Sequence, residues 1–190
     1  MSLKIVKPSR IVVTVAFVLA ATIASYGQSI VPGNFEVTSN LGIVSGIGSH
    51  GSFGGSVGAP ISDHLILSGD LSYIPMGGAN VTVGQAQSSS SAKAFNFNGN
   101  VQYQFKALRA TVPYLGGGLG FLHSSFSTSS NISGTPLNVS GTSTDMYFNV
   151  GGGLRYYVRE RWGFRPEFMT FAGTKTYVRF AGGIFYKFGE

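Results

Sequence analysis

The sequence predicts an all-β chain, an eight-stranded antiparallel up-and-down transmembrane β-barrel standing behind a secretory leader. Three observations carry this. Between Thr144 and Val158, Met146, Phe148, Val150, Leu154, Tyr156 and Val158 share one parity, while Asp145, Tyr147, Asn149, Arg155 and Tyr157 share the other. Side chains of a strand alternate between its faces, so this segment has one apolar and one polar face. The chain also starts with a basic stretch and a short apolar run, and only 11% of its residues are charged where about 25% is usual. A lipid-facing barrel wall needs few charges, whereas a soluble domain needs more to stay in solution.

The leader comprises Lys4, Lys7 and Arg10, then Ile11 to Ala24, apolar except for Thr14 and Thr22. That run falls short of the roughly 20 residues that span a bilayer as a helix. It suits the h-region of a signal peptide over residues 1–27, cleaved after Ala24 or Gly27, with one barrel domain over residues 28–190. The leader holds three of the 13 basic residues and none of the seven acids, leaving ten against seven, a net charge of +3. Lys and Arg form no basic stripe, so no nucleic-acid partner is expected. The chain has no cysteine and therefore no disulfide frame or thiolate chemistry.

Each strand reads by parity. In Phe35 to Val44, Phe35, Val37, Leu41 and Ile43 oppose Glu36, Thr38 and Asn40. Ser52 to Pro60 is Gly-rich, with Phe53, Val57 and Ala59 on one face. Leu65 to Ile74 sets Leu65, Leu67, Leu71 and Tyr73 against Ser68, Asp70 and Ser72. In Ala94 to Phe105, Phe95, Phe97, Val101, Tyr103 and Phe105 oppose Asn96, Asn98, Asn100, Gln102 and Gln104. Thr111 to Phe126 and Thr144 to Val158 follow. Trp162 to Phe171 and Thr176 to Phe188 complete the set. Nine to eleven residues cross a membrane as a tilted strand.

The connections alternate in length. Residues 60–64, 106–110 and 159–161 are tight turns, while Pro75 to Lys93 and Ser127 to Ser143 read as long, mobile loops rich in Ser, Gly, Asn and Thr. Short turns are periplasmic and long loops extracellular in such barrels, which puts both termini in the periplasm. An extracellular ligand, unidentified, would be met through residues 75–93 and 127–143.

Three stretches carry a family resemblance: Pro113-Tyr114-Leu115-Gly116-Gly117-Gly118-Leu119-Gly120, Gly151-Gly152-Gly153-Leu154-Arg155-Tyr156-Tyr157, and Gly183-Ile184-Phe185-Tyr186-Lys187-Phe188. With these the chain resembles the small eight-stranded outer-membrane barrels of the OmpA/OmpX type and the OmpW- and opacity-like group. The resemblance implies residence in the bacterial outer membrane and contact with outer-membrane lipid; no cofactor is expected. It also implies that the barrel assembly machinery reads Gly183, Tyr186 and Phe188 as a terminal signal.

Motifs of chemistry are weak. Gly46-Ile47-Gly48-Ser49-His50-Gly51 spells a dinucleotide fingerprint, but strands flank it and no helical period follows, so it reads as a hairpin. His50, His64 and His123 fall at different heights, and no metal site is expected. His123 has Ser124 beside it, but neighbours in a strand face opposite ways, so no catalytic pair forms and no enzyme is predicted. The Asn-x-Ser/Thr triplets at Asn80, Asn131 and Asn138 read as chance in Ser/Asn-rich segments. Lys106, Arg109, Arg159 and Arg161 fit periplasmic charge near lipid headgroups, with Trp162, Phe105, Tyr156 and Phe188 as an aromatic girdle beside them.

The polar face is the informative one. Glu36, Asp70, Asp145, Arg155, Arg165, Glu167, Arg179 and Lys187 share the inward parity and are expected to form a lumen charge network. An eight-stranded barrel is just wide enough for side chains to fill, and unpaired buried ions are costly. Counting from the turns puts Arg155 opposite Arg165 and Glu167 opposite Arg179, so Glu167 is expected among three guanidiniums. Gly116, Gly118, Gly120, Gly151 and Gly153 point inward and leave space, while Tyr114, Tyr147 and Tyr157 could fill it. Pro166 must break the ladder or sit at a bulge. Two functions follow: a structural and surface-interaction scaffold with a salt-bridged lumen, or a narrow porin-like channel for small, even hydrophobic, molecules.

Overall fold

The computed structural model describes residues 34–83, 86–132 and 135–189; the leader and its cleavage positions lie outside them. The strands are β1 (Phe35–Ser45), β2 (His50–Pro60), β3 (Leu65–Val83), β4 (Ala86–Gln104), β5 (Thr111–Ile132), β6 (Thr135–Arg159), β7 (Trp162–Gly173) and β8 (Tyr177–Phe188). Each pairs antiparallel with its neighbours, and β1 pairs with β8 to close the barrel.

Burial follows the sequence parity. Leu41 is 71% exposed and Phe148 70%, while Glu36, Asp70, Arg155 and Arg179 are all buried. That inversion of the soluble pattern is what a wall facing hydrocarbon requires. The apolar exterior ends in aromatic rows on both rims. Phe35 stacks on Phe188 at 4.6 Å, and Trp162 meets Phe164. On the far rim, Tyr73 packs between Phe53 and Phe95.

The residues expected to be long, mobile loops are instead strand. β3 and β4 pair as far as Val83↔Ala86, and β5 and β6 as far as Ile132↔Thr135. The two hairpins also pair with each other, as far as Gln87↔Asn131. A four-stranded sheet therefore rises beyond the barrel on one side. Serine and asparagine offer little to bury, but a ladder already fixed by the strands below needs only backbone bonds to continue.

A bulge between Pro75 and Gly77, with Gly77 at φ 86°, shifts the β3 register at the base of this sheet. Above it, Val81, Phe126, Leu137 and Val139 share the mouth-facing side with Ser88, Ser90, Thr128 and Ser130, and are exposed. β2 pairs with β3 only as far as Tyr73, and β7 with β6 only as far as Tyr147. Above those points both edges of the sheet lack a strand partner among the described residues.

The connection holding the fingerprint-like glycines is a hairpin turn. Gly46 and Gly48 adopt φ 115° and 101°, which L-residues rarely reach. A Cβ at Gly46 would also lie 2.8 Å from the Thr176 carbonyl oxygen.

Candidate functional site

The site is the lumen, and it is layered. Toward the tall hairpins, Val44, Ile74, Ala94, Leu122, Tyr147, Met169, Phe171 and Tyr177 form a buried apolar cluster. Phe171 stacks on Tyr177 at 4.5 Å, and Tyr147 meets both rings edge-on. Toward the termini, Phe185 is fully buried against Tyr157. The charges lie between these layers.

They form an alternating chain. Glu36 accepts from Nε and Nη2 of Arg155, both at 3.1 Å, and pairs with Arg165 Nη1 at 3.4 Å. Arg165 Nη2 donates to Glu167 Oε2 at 2.8 Å. The other Glu167 oxygen accepts from Arg179 Nη2 at 2.8 Å. Arg179 pairs with Asp70 at 3.7 Å, and Asp70 accepts from Asn100 Nδ2 at 3.1 Å. Three carboxylates thus meet three guanidiniums.

Neutral groups complete the shell. Arg155 donates to Gln102 at 2.6 Å, Arg165 to Thr38 and Ser56 at 3.2 Å each, and Arg179 to Ser72 at 3.4 Å. Tyr114 is the organic centre. Its hydroxyl donates to Glu167 at 2.7 Å and accepts from Arg165 Nε at 3.0 Å, and the Arg155 guanidinium lies 4.4 Å from its ring centroid.

Inward glycines make room for these tyrosines. Tyr114 pairs with Gly153, and Tyr147 with Gly120. A Cβ on Gly153 would lie 2.7 Å from the Tyr114 hydroxyl, and one on Gly120 2.6 Å from that of Tyr147. Tyr147 in turn donates to Asn96 and Asn98.

Six of the eight residues expected in the network lie in it; Asp145 and Lys187 do not. Asp145, beside the outer mouth, accepts from Ser143 at 3.3 Å. Lys187, at the other end, places Nζ 4.7 Å from the Tyr157 ring centroid. Both have the inward parity but the wrong height, ten residues from Arg155 and eight from Arg179 along their strands, at about 3.3 Å per residue.

Two further expectations are corrected. Glu167 faces Ala181 rather than Arg179, whose partner is Met169. Arg155 is held by Glu36, and of the three guanidiniums Glu167 meets only those of Arg165 and Arg179. Pro166 pairs with Gly182 on one side, while on the other the ladder passes from Gly153↔Glu167 to Tyr156↔Phe164. The pairing thus skips Leu154 and Arg155 where proline has no N–H to give.

Thr38, Ser56 and Tyr114 share the inward parity, and Tyr114 was expected to fill the bore, but none carries a charge that would have singled it out as a partner in the network. Gly183, of the expected terminal signal, sits between Arg165 and Asn40, and Tyr186 faces Trp162. His123 Nδ1 lies 2.8 Å from Thr144 Oγ1 rather than against a serine. Among the described residues no cluster of His, Cys, Asp and Glu could hold a metal.

An apolar exterior with aromatic rims, closed strand pairing and a charge-paired interior define a transmembrane β-barrel. The outer membrane protein beta-barrel domain family matches residues 12–187, and the chain belongs to it. Its place is the bacterial outer membrane. No curated protein sequence matches the chain.

Solved structures similar to it include the N-terminal β-barrel domain of Pseudomonas aeruginosa OprF, at 18% identity and TM-score 0.58, covering 81% of this chain and 96% of that one. Neisserial surface protein A is 15% identical with TM-score 0.54, covering 81% and 96%. Ail, the attachment invasion locus protein of Yersinia pestis, is 10% identical with TM-score 0.54, covering 82% and 97%. At these identities the likeness is one of fold.

Proposed function

We propose that the protein is a closed scaffold: a salt-bridged barrel that holds the four-stranded sheet of β3 to β6 outside the cell for contact with partner molecules. The observation that carries this is the occupied bore. Tyr114 and Tyr147 lie over Gly153 and Gly120, two of the glycines that would have opened it, and the apolar cluster around Phe171 covers the charges from the outer side. Partner contact belongs to residues 75–93 and 127–143, whose open edges offer unpaired backbone groups. No catalytic role is proposed.

The experiment is single-channel recording in a planar bilayer. The scaffold gives no conductance steps; stable ohmic openings would favour the narrow porin-like channel instead. The tall β3–β4 and β5–β6 hairpins rise from the rim opposite both termini, which supports a periplasmic placement for the termini. The chain has no cysteine, so a single Ser89→Cys variant reports orientation. A membrane-impermeant maleimide should label it in intact cells and leave Glu160→Cys unlabelled; the reverse result would invert the topology.

We also propose that Gly183, Tyr186 and Phe188 are read by the assembly machinery during insertion. Their support is their place in β8, the strand that closes the barrel, with Tyr186 and Phe188 toward its end.

A further inference from the structure

The outer surface of β3 to β6 changes character in three successive cross-strand rows. Leu71, Phe97, Phe121 and Met146 make an apolar row. The next row outward is Tyr73, Phe95, His123 and Thr144, and the one beyond it Pro75, Lys93, Ser125 and Thr142. Hydrocarbon, interface and headgroup layers follow one another in this order at a membrane boundary.

Lys93 therefore stands one row above the aromatic level, exposed. It makes no ion pair among the described residues. Asp145 has the opposite parity and accepts from Ser143, so no acid on this outward surface neutralises Lys93. His123 is exposed diagonally across from Lys93, within the roughly 7–8 Å that long side chains bridge. His123 Nδ1 lies 2.8 Å from Thr144 Oγ1; in the tautomer whose Nδ1 accepts from that hydroxyl, the ring proton sits on Nε2, where it can be donated outward. Ser125 and Thr142 add two hydroxyl donors on the same outward parity.

A cation, an imidazole N–H and two hydroxyls at headgroup height form a donor set that suits a phosphate group. We propose that Lys93 and His123, with Ser125 and Thr142, hold the phosphate of a phosphorylated glycolipid of the outer leaflet, its acyl chains lying against Phe95, Phe97 and Phe121. This assignment rests on the outward orientation of the tall hairpins. The experiment is arranged to be independent of it, because both leaflets of a nanodisc carry the lipid.

The full-length protein is reconstituted in phosphatidylcholine nanodiscs doped with bisphosphorylated lipid A or with its dephosphorylated form. Lipid that stays on the protein after release into detergent is read by native mass spectrometry. Wild type should retain the phosphorylated form preferentially. Lys93→Gln with His123→Gln should lower that retention about fivefold, the upper end for solvent-exposed ion pairs. Lys93→Arg with His123 intact should keep it, and Lys175→Gln, on the β7–β8 turn, should leave it unchanged. A gel shift on boiling confirms that each variant is folded. Equal retention of the two lipids by wild type, or undiminished retention by the double variant, would overturn the assignment.

Discussion

Arg155 and Glu36 are the tightest test of how single residues hold the lumen. Arg155 is fully buried, spends two nitrogens on Glu36, and reaches it across the barrel from β6 to β1. Glu36→Gln keeps size but turns one acceptor oxygen into an N–H donor and leaves two guanidiniums short of a counter-charge. The expected loss is about 3 kcal/mol, the low end for a broken buried pair. It is measured as the urea midpoint in lipid vesicles from the fluorescence of Trp162, the one tryptophan. Glu167→Gln should cost a similar amount through Arg165 and Arg179. Pairing Glu36→Gln with Arg155→Met should cost less than the sum of the two, with a coupling of about 1–3 kcal/mol, because the orphaned charge is removed with its partner. Full additivity would show that the two side chains do not meet. Gly153→Ala tests the tyrosine seat. Its Cβ would press on the Tyr114 hydroxyl and, from behind, on the Pro166 carbonyl, so a loss of about 1–3 kcal/mol is expected from overpacking. An unchanged urea midpoint would place Tyr114 elsewhere. Parity alone picked out the six charges that meet in the lumen, together with Asp145 and Lys187, which share the face but not the height. Who pairs with whom was not legible, because parity gives the face while height and the far side of the barrel decide the partner.

Strand identity was legible where one face is apolar, and strand extent was not. The β7–β8 pairing shows how small the missing information is. Centring that hairpin on Gly173 puts Glu167 opposite Arg179, whereas the turn is centred one residue later, with Phe171 facing Tyr177. Moving the centre by one residue moves every partner by two, so parity survives while contacts change. The tall hairpins were missed for a different reason. Segments such as Gln87-Ser88-Ser89-Ser90-Ser91 carry no hydrophobic alternation, and their ladder is templated from below. If that is their origin, the tall sheet depends on the barrel and the barrel does not depend on the sheet. Excising residues 78–91 and 127–140 behind short turns should leave the barrel folded. The gel shift on boiling should persist and the urea midpoint should stay close to that of the full chain. Loss of the folded band would show that the sheet nucleates β3 to β6 rather than following them.

For the molecule as a whole the decisive contact is the one that closes the barrel, β1 with β8. It brings residues separated by nearly the entire domain into one ladder, from Phe35↔Phe188 to Ser45↔Val178, and such non-local closure is slow. Phe188 has two roles that the fold makes separable. It stacks on Phe35 with ring planes 9° apart, a pair worth about 0.5–1.5 kcal/mol beyond its burial, and it is the terminal aromatic proposed as the assembly signal. Phe35→Ala destroys the same stack without touching the end of the chain. Both variants should therefore lose similar equilibrium stability in urea. Only Phe188→Ala should insert more slowly into membranes that contain the assembly machinery, and in pure lipid vesicles the two should insert alike. Equal insertion rates with the machinery present would reduce Phe188 to a rim aromatic and leave the terminal signal to other residues of β8.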